Sequence, residues 1–82
     1  MTSDDIRNGL RGFLTTEIMK DPSYPLEDDE ALISSGLIDS FSLVDVALWV
    51  ENTYGVKLQD NQLNANTFDS VAQLADLIQS QM

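Results

Sequence analysis

The chain has 82 residues, with 14 acidic side chains against four basic ones, a formal charge of −10 and an apolar fraction of 43%. That fraction supports a folded core despite the charge, and the length suits one small domain, expected over residues 1–82. A field this acidic repels nucleic acid and anionic membranes and draws in cationic surfaces.

There is no His and no Cys. No serine in the chain can therefore be activated by an imidazole base, and disulfide frameworks and thiolate metal sites are excluded. No apolar stretch approaches the roughly 18 residues of a membrane span. The opening Met1-Thr2-Ser3-Asp4-Asp5 lacks the basic start of a secretory signal, so the expected location is the cytoplasm. Between Asp21 and Asp60 lie nine acids and one base, Lys57, whereas Arg7, Arg11 and Lys20 all come earlier. Such a run is either a solvated surface or a docking field for basic partners; docking is favoured here because the run spans the serine context considered next.

In chain order, Ile6, Leu10, Phe13, Leu14 and Ile18 recur at helical spacing and predict a helix over 4–19, capped by Thr2 or Ser3. Gly9 and Gly12 inside it signal close helix contact or a soft helix. Asp21-Pro22 and Pro25 end the helix and keep the chain extended. The acidic run Glu27 to Glu30 lacks the alternating ligands and central Gly of a Ca²⁺ loop. Leu32 and Ile33 begin a single turn that reaches Gly36.

A second helix is predicted over 40–54. At about 100° per residue, Leu43, Val46, Ala47, Val50 and Tyr54 face the core, and Gly55 terminates the helix. Its opposite side carries Phe41, Asp45, Leu48 and Asn52, flanked by Val44 and Trp49. For Val44 core and surface roles balance; Phe41 and Leu48 point outward; Trp49 suits a half-buried position with an edge available to partners. A short turn is expected near 61–65. The last helix, over 70–80, is marked by a Ser70/Gln73 capping box and a buried stripe of Val71, Leu74, Ala75 and Ile78, with Phe68 packing back and Asp69 suiting the helix dipole. The predicted core is Leu10, Leu14, Val46, Val50, Tyr54, Leu58, Leu74 and Ile78. The fold class is all-α: a small four-helix bundle of three main helices and one short one, with a long loop between the first two. Nothing reads as a coiled-coil seam, so a monomer is expected.

The phrase Leu32-Ile33-Ser34-Ser35-Gly36-Leu37-Ile38-Asp39-Ser40-Phe41, the helix behind it, and then Tyr54-Gly55-Val56 and Phe68-Asp69-Ser70-Val71 together resemble acyl and peptidyl carrier proteins. The resemblance covers nearly the whole chain and runs without a gap from Asp28 to Leu58. It implies that Ser40, with Asp39 in its motif, receives 4′-phosphopantetheine from coenzyme A. A phosphopantetheinyl transferase would supply the base and Mg²⁺. It also implies a non-catalytic carrier whose prosthetic thiol holds acyl or aminoacyl groups as thioesters. A loading ligase or acyltransferase and a downstream synthase would then meet Phe41, Val44, Leu48 and Trp49, ringed by Asp45 and Glu51. Only Asp45 and Glu51 are acidic on the helix after the serine. With the Gly-Leu-Ile-Asp-Ser-Phe phrase, this looks more like discrete carriers of polyketide, nonribosomal-peptide and related pathways than a housekeeping fatty-acid carrier. From another class, an acidic helical adaptor that is never modified also accommodates the outward apolar face.

Overall fold

A computed structural model describes residues 2–82, and among these it shows three helices, one short 3₁₀ turn and no strand. Helix α1, Ser3–Phe13, starts on a reciprocal cap. Thr2 Oγ1 accepts from the Asp5 N–H at 3.2 Å while the Asp5 carboxylate accepts from the Thr2 N–H at 3.2 Å. The predicted helix over 4–19 does not run on as an α-helix. From Leu14 to Ile18 it widens into a π-helical turn, with the Met19 N–H on the Leu14 carbonyl at 2.8 Å. The buried Thr15 hydroxyl donates to the Arg11 carbonyl at 2.8 Å. A threonine bonded four residues back competes for a helical acceptor and distorts the ladder, which fits the widening here.

Helix α2, Ser40–Tyr54, closes on Gly55, whose φ of 72° takes the left-handed conformation that the sequence assigns to a terminator. Helix α3 spans Val71–Ser80. Ser70 Oγ accepts from the Gln73 N–H at 3.2 Å, but Gln73 Oε1 accepts from Asp69 N–H at 2.6 Å instead of from Ser70. Half of the expected capping box is therefore present. The 3₁₀ turn covers Asp60–Gln62, slightly ahead of the expected 61–65.

The core draws Ile6, Leu10 and Leu14 from α1, Leu43, Val46 and Val50 from α2, and Val71, Leu74, Ala75 and Ile78 from α3. Leu26, Leu32, Ile38, Val56, Leu58 and Phe68 complete it from the connections. Tyr54 corrects the predicted core: it is half-buried at the α1–α2 seam. Its ring lies where the hydroxyl can reach the Ile6 carbonyl at 3.4 Å, a polar tip that a fully enclosed site would strand. A Cβ at Gly9 would stand 2.5 Å from that hydroxyl oxygen, so Gly9 is the close-contact glycine of α1.

Gly12 has nothing within 4 Å of the place its Cβ would occupy. Gly12→Ala is therefore expected to stabilise the fold by about 0.5–1 kcal/mol through helix propensity alone. The check is the urea midpoint, and an unchanged or lowered midpoint would contradict open space at this site.

The connection from Met19 to Asp39 is long, and loops of that length need fastening in so small a domain. Arg11 Nε donates to the Leu26 carbonyl at 2.9 Å, and the guanidinium groups of Arg7 and Arg11 both pair with Asp28. The Asp28 carbonyl in turn accepts from the Ala72 N–H at 2.9 Å. Glu30 is engaged by the Tyr24 hydroxyl. Asp28 and Glu30, which the sequence places in an acidic docking field, are thus committed to internal contacts.

Candidate functional site

Asp39 caps α2, its Oδ1 accepting from the Ser42 N–H at 2.8 Å. That backbone bond, joined by the Ser42 hydroxyl, holds the Asp39 carboxyl below the usual carboxylate range. With Asp39 as cap, Ser40 becomes the first residue of the helix, and it is exposed.

Five other serines have partners for their oxygens, while Ser3, on the first turn of α1, has none among the described residues but is half-buried. Ser23 donates to Asp21 at 2.8 Å, Ser35 to the Ala31 carbonyl at 2.5 Å and Ser80 to the Leu77 carbonyl at 2.7 Å. Ser34 donates to Asp69, and Ser70 caps α3. The Ser40 hydroxyl is free of any such bond among the described residues, which is the state a modifying enzyme needs.

The segment leading to Ser40 is tightly held. Gly36 turns the chain with φ of 86°, its N–H on the Ile33 carbonyl at 3.1 Å. Ile38 is buried and its N–H returns to the Leu32 carbonyl at 3.0 Å. Leu32, also buried, donates its own N–H to the Asp69 carbonyl at 2.8 Å. The Asp69 side chain adds a fan of bonds: Oδ1 accepts from the N–H groups of Leu32, Ile33 and Ser34 at 3.2, 2.6 and 3.0 Å, and Oδ2 from the Ser34 hydroxyl. The Ser34 hydroxyl, followed by these backbone donors, lowers the Asp69 pKa. The sequence reads Asp69 only as a partner for its own helix dipole; its reach across to the turn before Ser40 carries no local signal.

Along α2 beyond the serine, Phe41 is 85% exposed, Val44 57% and Leu48 53%. Their exposure decides the balance for Val44 in favour of the surface and leaves α2 apolar on two sides. Asp45 and Glu51 are exposed as well. Trp49 is half-buried, stacked on Phe13 with ring centroids 4.6 Å apart and 13° between planes, and edge-on to Tyr54 at 5.6 Å and 86°. The structure therefore separates Trp49, which joins the α1–α2 seam, from the row of Phe41, Val44 and Leu48.

A shallow depression lined by Lys57 to Asn61 lies past the other end of α2. Neither Ser40 nor the Phe41, Val44 and Leu48 row lines it. Among the described residues no three His, Cys, Asp or Glu side chains cluster to hold a metal, and no helix is long and apolar enough to cross a membrane.

The site fits a covalently held phosphopantetheine. A free hydroxyl stands on the first turn of a rigid helix, where the dipole offsets the charge of a phosphodiester. The Asp39 carboxylate is occupied with its cap. The comparisons agree with this geometry. A family model described as the phosphopantetheine attachment site matches residues 14–78. We found no significant match among curated proteins or solved structures. The matched region takes in the π-helical turn, the whole fastened loop, α2 and most of α3, and the chain belongs to the phosphopantetheine-attachment family of acyl and peptidyl carriers.

Proposed function

We propose that the protein is a carrier modified at Ser40, working in polyketide, nonribosomal-peptide or related specialised biosynthesis. The observation that carries the choice of residue is the exposed Ser40 hydroxyl, free of hydrogen bonds, on the first turn of α2. When bound, the prosthetic group supplies the terminal thiol that this cysteine-free chain lacks, and with it thioester chemistry. Ser40 Oγ provides the point of attachment, Asp39 fixes the first turn that bears it, and the absence of any cysteine leaves no internal thiol to intercept cargo. Support for the pathway class comes from the Gly36-Leu37-Ile38-Asp39-Ser40-Phe41 phrase and the few acids of α2. The test is intact mass after incubation with coenzyme A and a broad-specificity phosphopantetheinyl transferase. One phosphopantetheine is expected, mapped by fragmentation to the peptide holding Ser40; no gain, or a gain elsewhere, overturns the assignment.

The partners proposed are that transferase, a loading ligase or acyltransferase and a downstream synthase. They would dock on Phe41, Val44 and Leu48, with Asp45 and Glu51 guiding approach and the exposed part of Trp49 at the border. Charges at a rim set the association rate, whereas buried anchors set dissociation. Asp45→Lys is accordingly expected to slow association with the loading enzyme and flatten its salt dependence. Leu48→Ala is expected to speed dissociation, on the order of tenfold for a central anchor. Both sites are exposed, so circular dichroism should show unaltered folding. Binding kinetics unchanged in both variants would move the docking face elsewhere.

A further inference from the structure

We infer that Asp69, at the foot of α3, is a positioning residue for Ser40, an inference that rests on the reading of Ser40 as the attachment site. The two residues share no element. Between them runs one continuous path of bonds: the Asp69 carboxylate holds the N–H groups of Leu32, Ile33 and Ser34, the Leu32 carbonyl holds the Ile38 N–H, and Ile38 is followed by the cap Asp39. Four donors converge on one carboxylate, since the Ser34 hydroxyl joins the three backbone groups. Charged acceptors form the stronger class of hydrogen bond, and three backbone donors on one carboxylate fix the direction of a turn as well as its place.

The alternative anchors of this segment act differently. Buried Leu32 and Ile38 side chains hold the loop against the core, but apolar contact is non-directional. Gly36, inside the turn, adopts a left-handed φ and brings its own conformational freedom. Without the carboxylate, the N–H groups of Ile33 and Ser34 would turn to water and the turn would sample several orientations. The start of α2 would sample them with it. A transferase that accepts one orientation would then meet the competent form less often, which raises the apparent KM by the inverse of its population and leaves kcat unaltered.

The test compares three variants as apo-protein substrates of a broad-specificity transferase with coenzyme A, at a temperature where circular dichroism shows each fully folded. Asp69→Ala is expected to raise KM for the carrier about tenfold, with kcat within about twofold. Asp69→Asn keeps an oxygen for the backbone fan and is expected to restore KM to within about threefold of the parent. Ile78→Val trims the buried core of α3 without touching the loop, so it lowers stability and should leave KM unchanged. An unaltered KM in Asp69→Ala, or an equal rise in Ile78→Val, overturns the inference.

Amide hydrogen exchange supplies a readout independent of modification. In Asp69→Ala or, should that variant not fold, in Asp69→Asn against the parent, exchange should quicken at Ile33, Ser34 and Ile38 and at the first turn of α2, while the middle of α1 keeps its protection. Loss confined to Ile33 and Ser34 would show that Asp69 holds the turn and does not position the serine. Quickened exchange in the variant as described, with a parent that takes up no phosphopantetheine, would instead refute the assignment of Ser40 and leave the mechanical link intact.

Discussion

Ser40→Ala is expected to abolish phosphopantetheine attachment entirely while leaving the fold as it was. The serine side chain contributes no hydrogen bond to α2, because Asp39 supplies the cap and the Ser40 side chain is exposed. Alanine is a strong helix former, so the change in stability should stay within about 0.5 kcal/mol. Ser23, Ser34, Ser35, Ser70 and Ser80 are poor substitutes, being tied to Asp21, Asp69, Ala31 or Leu77 or used as a helix cap, and Ser3 is half-buried on α1. Ser42 lies only two residues on, but it is half-buried and its N–H serves the Asp39 cap. Intact mass after incubation with transferase and coenzyme A should therefore show no addition to the variant and one to the parent. Attachment to a correctly folded Ser40→Ala chain would place the site at another residue.

The second large effect is on stability. Phe68→Ala should cost about 3–5 kcal/mol, the range for emptying a buried aromatic site. Phe68 is fully buried and among the largest side chains in the core, although it belongs to no helix. Small domains hold about 5–15 kcal/mol in total and short chains sit near the lower end, so this variant should retain little stability at all. Phe41→Ala removes the same side chain from a site that is 85% exposed, and its cost should stay within about 0.5 kcal/mol. Urea titration of the pair reads burial directly. Similar midpoints for the two would refute the core as described.

What the sequence made legible follows from locality. The bounds of α2 depend on Asp39 at one end and Gly55 at the other, both of which act within a turn, and the helix over 40–54 was readable for that reason. The outward placement of Phe41 and Leu48 followed from angular periodicity, which needs only the helix itself. The π-helical turn at Leu14–Ile18 was not readable, since an apolar residue at 14 and another at 18 fit either ladder. Tyr54 was misplaced because its position on α2 faces α1, and only the approach of Gly9 decides how deep its ring can go. Asp28 and Glu30 looked like free surface charge until the fold set Arg7, Arg11 and Tyr24 beside them. The candidate serine was legible from its immediate neighbours. The fastening of the turn before it by Asp69, 35 to 37 positions from Ser34 and Leu32, was not.

Those separations also order the assembly of the site in time. A helix such as α2 closes bonds four residues apart and forms within about a microsecond. Joining Leu32 to Asp69 closes a loop of 37 residues, whose entropic cost must be met before any bond rewards it. The helix that bears the serine can therefore exist well before the serine has its final setting, and that setting arrives only when α3 docks. If Ser40 is the attachment site as proposed, a chain whose α3 has not yet docked offers the transferase a serine on a turn that Asp69 does not yet hold, and so a poorer substrate than the folded molecule.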